Sequence, residues 1–181
     1  MATRAPATVD DLYLVKSKAE LVGGEIVHMS PTGALPGRAA GAIYASLREY
    51  ERRTKSGYAF GDNLGFLVNL PDRQSFSPDA AFHVGQLTGM KFLQGAPVFA
   101  AEVRSENEYG PRKENRMAQK RSDYFAAGTQ IVWDVDLQGE DVIKVYRATD
   151  PQTPTVYRRG DTAEAEPALP GWQFGVNELF E

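Results

Sequence analysis

The sequence predicts an α/β (α+β) domain in which helices flank a central mixed β-sheet and a β-hairpin stands near the N-terminus. Two segments, residues 35–54 and 111–127, carry apolar residues at helical spacing. Short apolar runs typical of strands lie between and after these helices. The 181 residues are 42% hydrophobic and show no internal repeat. We therefore expect one domain over residues 1–181, because that length buries a single core.

The N-terminal part predicts a short helix, a hairpin and a long helix. Residues 9–18 begin with two acidic residues, as helices often do. Residues 20–29 form two extended runs around Gly23 and Gly24, a pair that fits a tight hairpin turn. The following helix, residues 35–54, is amphipathic, with its apolar positions at Ile43, Leu47 and Tyr50.

The remainder predicts a run of strands, a second helix and three more strands. The second helix begins at residue 111 or 112 and ends before Gly128, because glycine commonly follows a helix C-terminus. The first strands are expected to form a meander. The predicted strands are residues 58–61, 64–70, 79–84, 97–103, 130–136, 142–147 and 155–159.

Composition excludes several kinds of site. The chain has no cysteine, so disulfides, thiolate nucleophiles and cysteine-ligated zinc are excluded. The two histidines, His28 and His83, are isolated and lack ligand-like spacing. No apolar stretch approaches the roughly 18 residues of a membrane helix, and the first residues lack the apolar core of a secretory signal. We therefore expect a cytoplasmic protein with no membrane partner.

The net charge of −4 conceals a strong asymmetry along the chain. Residues 104–121 carry six basic and three acidic side chains, whereas residues 122–181 carry four basic and eleven acidic ones. A second basic stretch lies at residues 38–55. A polyanion can bind at such stretches despite the acidic total, although two solvated helix faces would give the same pattern.

Two carboxylates on strand-like runs are candidate metal ligands. Asp79 follows Ser77-Pro78 and precedes an apolar run, and Glu102 ends another apolar run. A buried carboxylate is costly unless it is paired or bound to a metal ion. Adjacent strands would bring both side chains close enough to share Mg²⁺, which prefers oxygen ligands and activates bound water.

Lys120 is the candidate cation for the same site. At about 100° per residue, Lys120 lies about 60° from Met117 and about 40° from Tyr124, so it borders the apolar side of its helix. An ammonium pointing inward would orient the attacking water or stabilise charge on a phosphoryl group. The alternative is a surface lysine whose stem covers apolar area.

These segments together resemble the Uma2 family of proposed endonucleases, which belongs to the PD-(D/E)XK restriction-endonuclease-like superfamily. The resemblance spans nearly the whole chain. It rests on Glu20-Leu-Val-Gly-Gly-Glu-Ile-Val-His-Met-Ser-Pro31, Ser77-Pro-Asp79, Ala101-Glu-Val-Arg-Ser105, Lys120 with Tyr124 and Gly128, Val132-Trp-Asp-Val-Asp136, Leu169-Pro-Gly-Trp-Gln-Phe174 and Glu178-Leu-Phe180.

The resemblance implies a metal site and a catalytic set. Asp79 corresponds to the aspartate of the PD motif and Glu102 to the acidic ligand that follows, while the backbone carbonyl of Val103 supplies a further metal contact. The metal is expected to be Mg²⁺ or Mn²⁺. Lys120 completes the catalytic residues, because the family places a lysine four residues before a helical tyrosine.

The sequence departs from the superfamily pattern two residues after Glu102, where Arg104 replaces the lysine of the E-x-K motif. Arg104 is therefore a competing candidate for the cationic role and would clamp a phosphate bidentately. Glu20 and Glu25 match acidic positions of the family, and Glu25 is a candidate accessory acid. Alternatively, both glutamates are ordinary charged residues of the hairpin with no role in the metal site.

The resulting hypothesis is a metal-dependent endonuclease that hydrolyses phosphodiester bonds, with DNA as the expected substrate. Arg104, Arg116 and Arg121 would contact substrate phosphates. A homodimer is also expected, since double-strand cutting favours paired active sites. The alternatives are a nuclease-fold protein that binds nucleic acid or acts in assembly without turnover, and a phosphoesterase acting on small molecules.

Overall fold

A computed structural model describes residues 5–181, and within them the chain forms three α-helices, thirteen strands and a closing 3-10 helix. Both long helices stand where helical spacing predicted them. The elements are α1 Val9–Tyr13, β1 Ala19–Val22, β2 Glu25–His28, α2 Ala34–Thr54, β3 Tyr58–Phe60, β4 Phe66–Leu70, β5 Arg73–Phe76, β6 Ala80–His83, β7 Leu93–Gln94, β8 Phe99–Val103, α3 Pro111–Ala126, β9 Ile131–Val135, β10 Ile143–Arg147, β11 Asp150–Tyr157, β12 Thr162–Glu164, β13 Gln173–Gly175 and the 3-10 helix Val176–Phe180.

The central sheet has six strands in the order β11-β10-β9-β8-β6-β3. β8 and β9 are parallel, and the other neighbours are antiparallel, so the sheet is mixed as predicted. Parallel neighbours need a crossover connection, and α3 provides it between β8 and β9. The crossover places α3 directly after the strand that carries Glu102.

The predicted hairpin is present as β1 and β2, which pair Val22 with Glu25. Its turn residues Gly23 and Gly24 have φ values of 56° and 76°, as a two-residue turn with both central residues in the left-handed region requires. The preceding helix is shorter than the predicted 9–18, since α1 ends at Tyr13 and Lys18 already accepts a hydrogen bond from the N–H of Met29 in continuation of the hairpin.

Each face of the central sheet has its own apolar layer. On one face, α2 contributes Ile43, Leu47 and Tyr50 to a core that includes Trp133. Ala100 and Val132 belong to the layer on the opposite face, together with Tyr124 of α3 and the aromatic residues Phe66 and Phe76. Since side chains alternate along a strand, Glu102 and Asp134 share this second face.

The predicted meander is wrong in one respect, because the strand expected at residues 64–70 does not join the central sheet. β4 pairs with β5 and β7 in a separate three-stranded sheet. The turn between β4 and β5 folds the chain back on itself, and the two strands then bury Phe66 and Phe76 against the second face. Within residues 5–181, no helix is long and apolar enough to cross a membrane.

Candidate active site

Asp79 lies at the entrance of β6, beside the end of β8. Its backbone N–H donates to the carbonyl of Ala101 at 3.1 Å, and its Oδ2 accepts the N–H of Val103 at 2.7 Å. The neighbouring antiparallel strand therefore fixes the carboxylate by a backbone contact. The two strands bring Asp79 to the end of β8 that carries Glu102.

Glu102 receives two hydrogen bonds from α3. The hydroxyl of Tyr124 donates to Glu102 Oε1 at 2.6 Å, and Lys120 Nζ lies 2.8 Å from the same oxygen. Lys120 and Tyr124 are one helical turn apart, so they approach the strand from the same side of α3. Tyr124 is held in place because its ring stacks on Phe76 with centroids 3.9 Å apart. Lys120 thus points inward, which is one of the two orientations that helical spacing left open.

Glu20 of β1 is the second partner of Lys120. Glu20 Oε1 lies 2.8 Å from Lys120 Nζ and accepts the N–H of Ser77 at 2.8 Å. Glu20 Oε2 accepts from Arg73 at 2.7 Å, and the Arg73 Nε donates to Asp123 at 2.7 Å. Lys120 therefore bridges two carboxylates from different elements, and the hairpin is tied to the site through Glu20.

Lys18 is a further cation of the site that the sequence reasoning missed. Its Nζ lies 2.7 Å from Asp79 Oδ1 and 2.6 Å from Asp62 Oδ1. The backbone carbonyl of Lys18 accepts the N–H of Met29, so the hairpin pairing continues to this residue. Lys18 and Glu20 are two residues apart on an extended segment and share a face. The two-residue spacing relates Lys18 to Glu20, but it does not by itself relate Lys18 to Asp79, which is 61 residues away in the chain.

The pKa values show that the site is rich in negative charge. Burial, together with the nearby charges of Asp79 and Glu20, raises the pKa of Glu102 to about 7, although Lys120 opposes this shift. Burial alone would lower the pKa of the Lys120 ammonium, but Glu102 and Glu20 outweigh burial and raise it. The two carboxylates therefore favour the charged form of Lys120, whereas burial and the neighbouring carboxylates favour the neutral form of Glu102.

The oxygen atoms at this position fit a hard divalent cation. Two carboxylates stand together, and the Val103 N–H points at Asp79, so the Val103 carbonyl lies on the same side of its strand. Residues 5–181 contain no group of three or more His, Cys, Asp or Glu side chains that would hold a metal ion. Two carboxylates with one backbone carbonyl suit Mg²⁺, which keeps several waters.

The arginines proposed to contact phosphates lie in different surroundings. Arg104 is buried, and its guanidinium donates to both oxygens of Asp134 at 2.8 Å and also to Glu114. Arg121 lies with its guanidinium 3.7 Å from the ring centroid of Tyr146. Of the three arginines, Arg116 is exposed, whereas Arg104 is buried and Arg121 is half-buried.

Glu25 lies outside the group of charged residues around Asp79 and Glu102. It is exposed and pairs with Val22 at the turn end of the hairpin. Glu20, which is buried, contacts Lys120 instead. The register places both glutamates on one face of the hairpin, but Glu25 stands beside the turn, whereas Glu20 lies two positions further from the turn and contacts Lys120.

Comparisons with known proteins agree with this architecture. The model of the Uma2 family, described as "putative restriction endonuclease", matches residues 9–177. A crystal structure of a "putative nuclease belonging to DUF820" from Anabaena variabilis superposes with a TM-score of 0.75 at 16% sequence identity, covering 97% of this chain and 98% of that one. A search of curated proteins finds no match. The predicted restriction-endonuclease-like fold is confirmed.

Proposed function

We propose that this chain, which belongs to the Uma2 family, is a nuclease that hydrolyses phosphodiester bonds in DNA with the aid of Mg²⁺ or Mn²⁺. The observation that supports the proposal best is the lysine bridge, in which Lys120 contacts both Glu102 and Glu20. Asp79 directly precedes β6, the strand that neighbours β8. An inward lysine beside two strand-end carboxylates is an arrangement suited to phosphoryl chemistry.

In this proposal Asp79, Glu102 and the carbonyl of Val103 hold the metal ion. A bound divalent ion lowers the pKa of its water and neutralises the phosphate. Glu102 binds in its ionised form, and Lys120 and Tyr124 orient it through Oε1. Because the metal ion contacts the phosphate, the phosphodiester must lie beside Asp79 and Glu102.

Lys120 acts in this proposal as a cationic hydrogen-bond donor. Its raised pKa keeps the ammonium protonated, which makes it unsuited to the role of general base. An ammonium has three N–H donors, and Glu20 and Glu102 take two of them. The third is available for the attacking water or a phosphate oxygen. Glu20 therefore acts as a positioning residue for Lys120.

Of the three arginines expected to contact phosphates, Arg116 is the one whose position suits contact with the DNA backbone. It is exposed on α3, four residues before Lys120, so both side chains lie on neighbouring turns of one helix face. Arg104 is committed to Asp134, and Arg121 is partly covered by Tyr146. Contact with the phosphate backbone carries no sequence information by itself.

The test is a cleavage assay on supercoiled DNA, linear DNA and RNA with Mg²⁺, Mn²⁺ or EDTA. Cleavage should need the metal and should fall by at least about 100-fold in Asp79→Asn, Glu102→Gln and Lys120→Met. Lys91→Met is the matched control, because Lys91 is exposed in a loop and contacts Tyr13. Cleavage of RNA alone would correct the substrate, and linear product without a nicked intermediate would support the homodimer.

A wild-type protein that cuts no nucleic acid with either metal would refute the nuclease proposal. The second candidate is a nucleic-acid-binding protein without turnover. It is favoured by Arg104 at the motif position of lysine and by its pairing with Asp134. Such a protein would bind DNA in a salt-sensitive manner, and Asp79→Asn would leave that binding unchanged.

A further inference from the structure

We propose that Lys18 is a positioning residue that occupies the metal-facing oxygen of Asp79 and gives it up to an incoming divalent cation while keeping its contact with Asp62. The inference rests on the proposed function in one respect, which is that Asp79 binds the metal. Its consequence is that Lys18 sets the metal affinity of the site.

The two carboxylate oxygens of Asp79 have different partners. Oδ2 accepts the N–H of Val103 at 2.7 Å. Oδ1 lies 2.7 Å from the ammonium of Lys18. The backbone contact belongs to the sheet and cannot be exchanged without disrupting the strand end. A cation that binds Asp79 therefore competes with Lys18 for Oδ1.

Glu102 differs from Asp79 in this respect. Its contacts from Lys120 and Tyr124 both go to Oε1, which leaves Oε2 for a metal ion. Lys120 is also held by Glu20, so it has no need to move when Glu102 binds an ion. Of the two lysines at the site, Lys18 is the one whose contact a metal ion must replace.

Asp62 provides the second place for the ammonium. Its Oδ1 already lies 2.6 Å from Lys18 Nζ, so the lysine keeps one carboxylate partner after it releases the other. The Asp62 side chain is 42% exposed, against 13% for Asp79. Water can therefore solvate the remaining pair. In this exchange, metal coordination of Asp79 replaces its partly buried ion pair with Lys18.

The experiment measures Mn²⁺ affinity of the whole chain by isothermal titration calorimetry, without DNA. Lys18→Met and Lys18→Gln should each bind Mn²⁺ about tenfold more tightly than the wild type, because a competing ammonium is removed. Asp62→Asn should bind more weakly. Lys16→Met is the matched control, since Lys16 is an exposed lysine two residues earlier, and its affinity should stay within about twofold.

Unchanged or weaker Mn²⁺ binding in a folded Lys18→Gln protein would overturn the inference, and circular dichroism verifies the folding of each variant. The cleavage assay separates this inference from the proposed nuclease activity. Tighter Mn²⁺ binding in a protein that cuts nothing would retain the role of Lys18 and refute the nuclease. Metal-dependent cleavage with unchanged affinity in both Lys18 variants would do the reverse. Absence of Mn²⁺ binding in every protein would refute the inference about Lys18, and the cleavage assay alone would then decide on the nuclease.

Discussion

Replacing Lys120 with methionine should destabilise the protein much more at pH 8 than at pH 5.5. The ammonium joins Glu20 and Glu102, whose side chains are 5% and 21% exposed. Methionine keeps the apolar stem and removes the charge. Both carboxylates then lose their common cation in a poorly hydrated position, where an unpaired charge is costly.

The substitution leaves the two carboxylates with different numbers of remaining partners. Glu20 keeps Arg73 and the N–H of Ser77 as partners, whereas Glu102 keeps only the Tyr124 hydroxyl among the partners described above. Breaking a buried ion pair costs about 3–5 kcal/mol, and we expect about 3 kcal/mol at pH 8 because Glu20 stays paired.

The pH dependence follows from Glu102. Its pKa is already raised to about 7, and loss of Lys120 raises it further. The native state then binds a proton more tightly than the unfolded state does, so the variant loses stability as pH rises. At pH 5.5 Glu102 is protonated, and the cost of the substitution should fall to about 1 kcal/mol.

Urea denaturation at the two pH values gives both free energies of unfolding, and Glu102→Gln combined with Lys120→Met provides the control. The double variant has no carboxylate at residue 102, so it should lose less stability at pH 8 and show little added pH dependence. If Lys120→Met lost the same free energy at pH 5.5 and pH 8, an uncompensated Glu102 charge would not be the cause.

Two further predictions concern neighbours of this site. Tyr124→Phe keeps the stacking on Phe76 but removes the hydrogen bond to Glu102. It should therefore lower the free energy of unfolding by about 1.5–3 kcal/mol at pH 8, measured by urea denaturation. A variant as stable as the wild type would contradict a stabilising role of that hydrogen bond. Hydrogen bonds from Arg104 lower the pKa of Glu114, a half-exposed residue, so Glu114→Gln should cost about 0.5–1 kcal/mol at pH 7, and this cost should shrink as the pH falls below 4.5 and through the lowered pKa. A cost that stays constant as the pH falls would contradict this prediction.

The sequence predicts the parts of the fold that local pattern determines. Helix α2 occupies Ala34–Thr54 against the predicted 35–54, because its apolar residues recur at helical spacing. The strand Ile131–Val135 is buried at every position and is a continuous apolar run apart from one acid. β5, β7, β12 and β13 were not predicted, because β5 is a polar run apart from Phe76 and the other three are short runs without a continuous apolar pattern.

Local sequence pattern likewise selects some of the residues at the site and not others. Asp79, Glu102 and Lys120 can be selected from the sequence because each stands at a strand end or on the apolar border of a helix. Lys18 and Arg73 cannot be selected by such rules. Their roles depend on the packing of the hairpin and of β5 beside the central sheet, and contacts between segments more than 50 residues apart leave no periodic signal.

The register between β8 and β9 explains why the lysine that contacts Glu102 comes from a helix. Glu102 stands opposite Asp134, which is only 3% exposed and needs a counterion. Arg104, two residues after Glu102 on the same face, supplies it with a bidentate contact. The strand position that would present a lysine to Glu102 is thereby used for Asp134. Since α3 crosses this face as the connection between the two parallel strands, Lys120 is placed to take over. The arginine in the strand and the lysine in the helix are therefore linked consequences of the buried acid at residue 134.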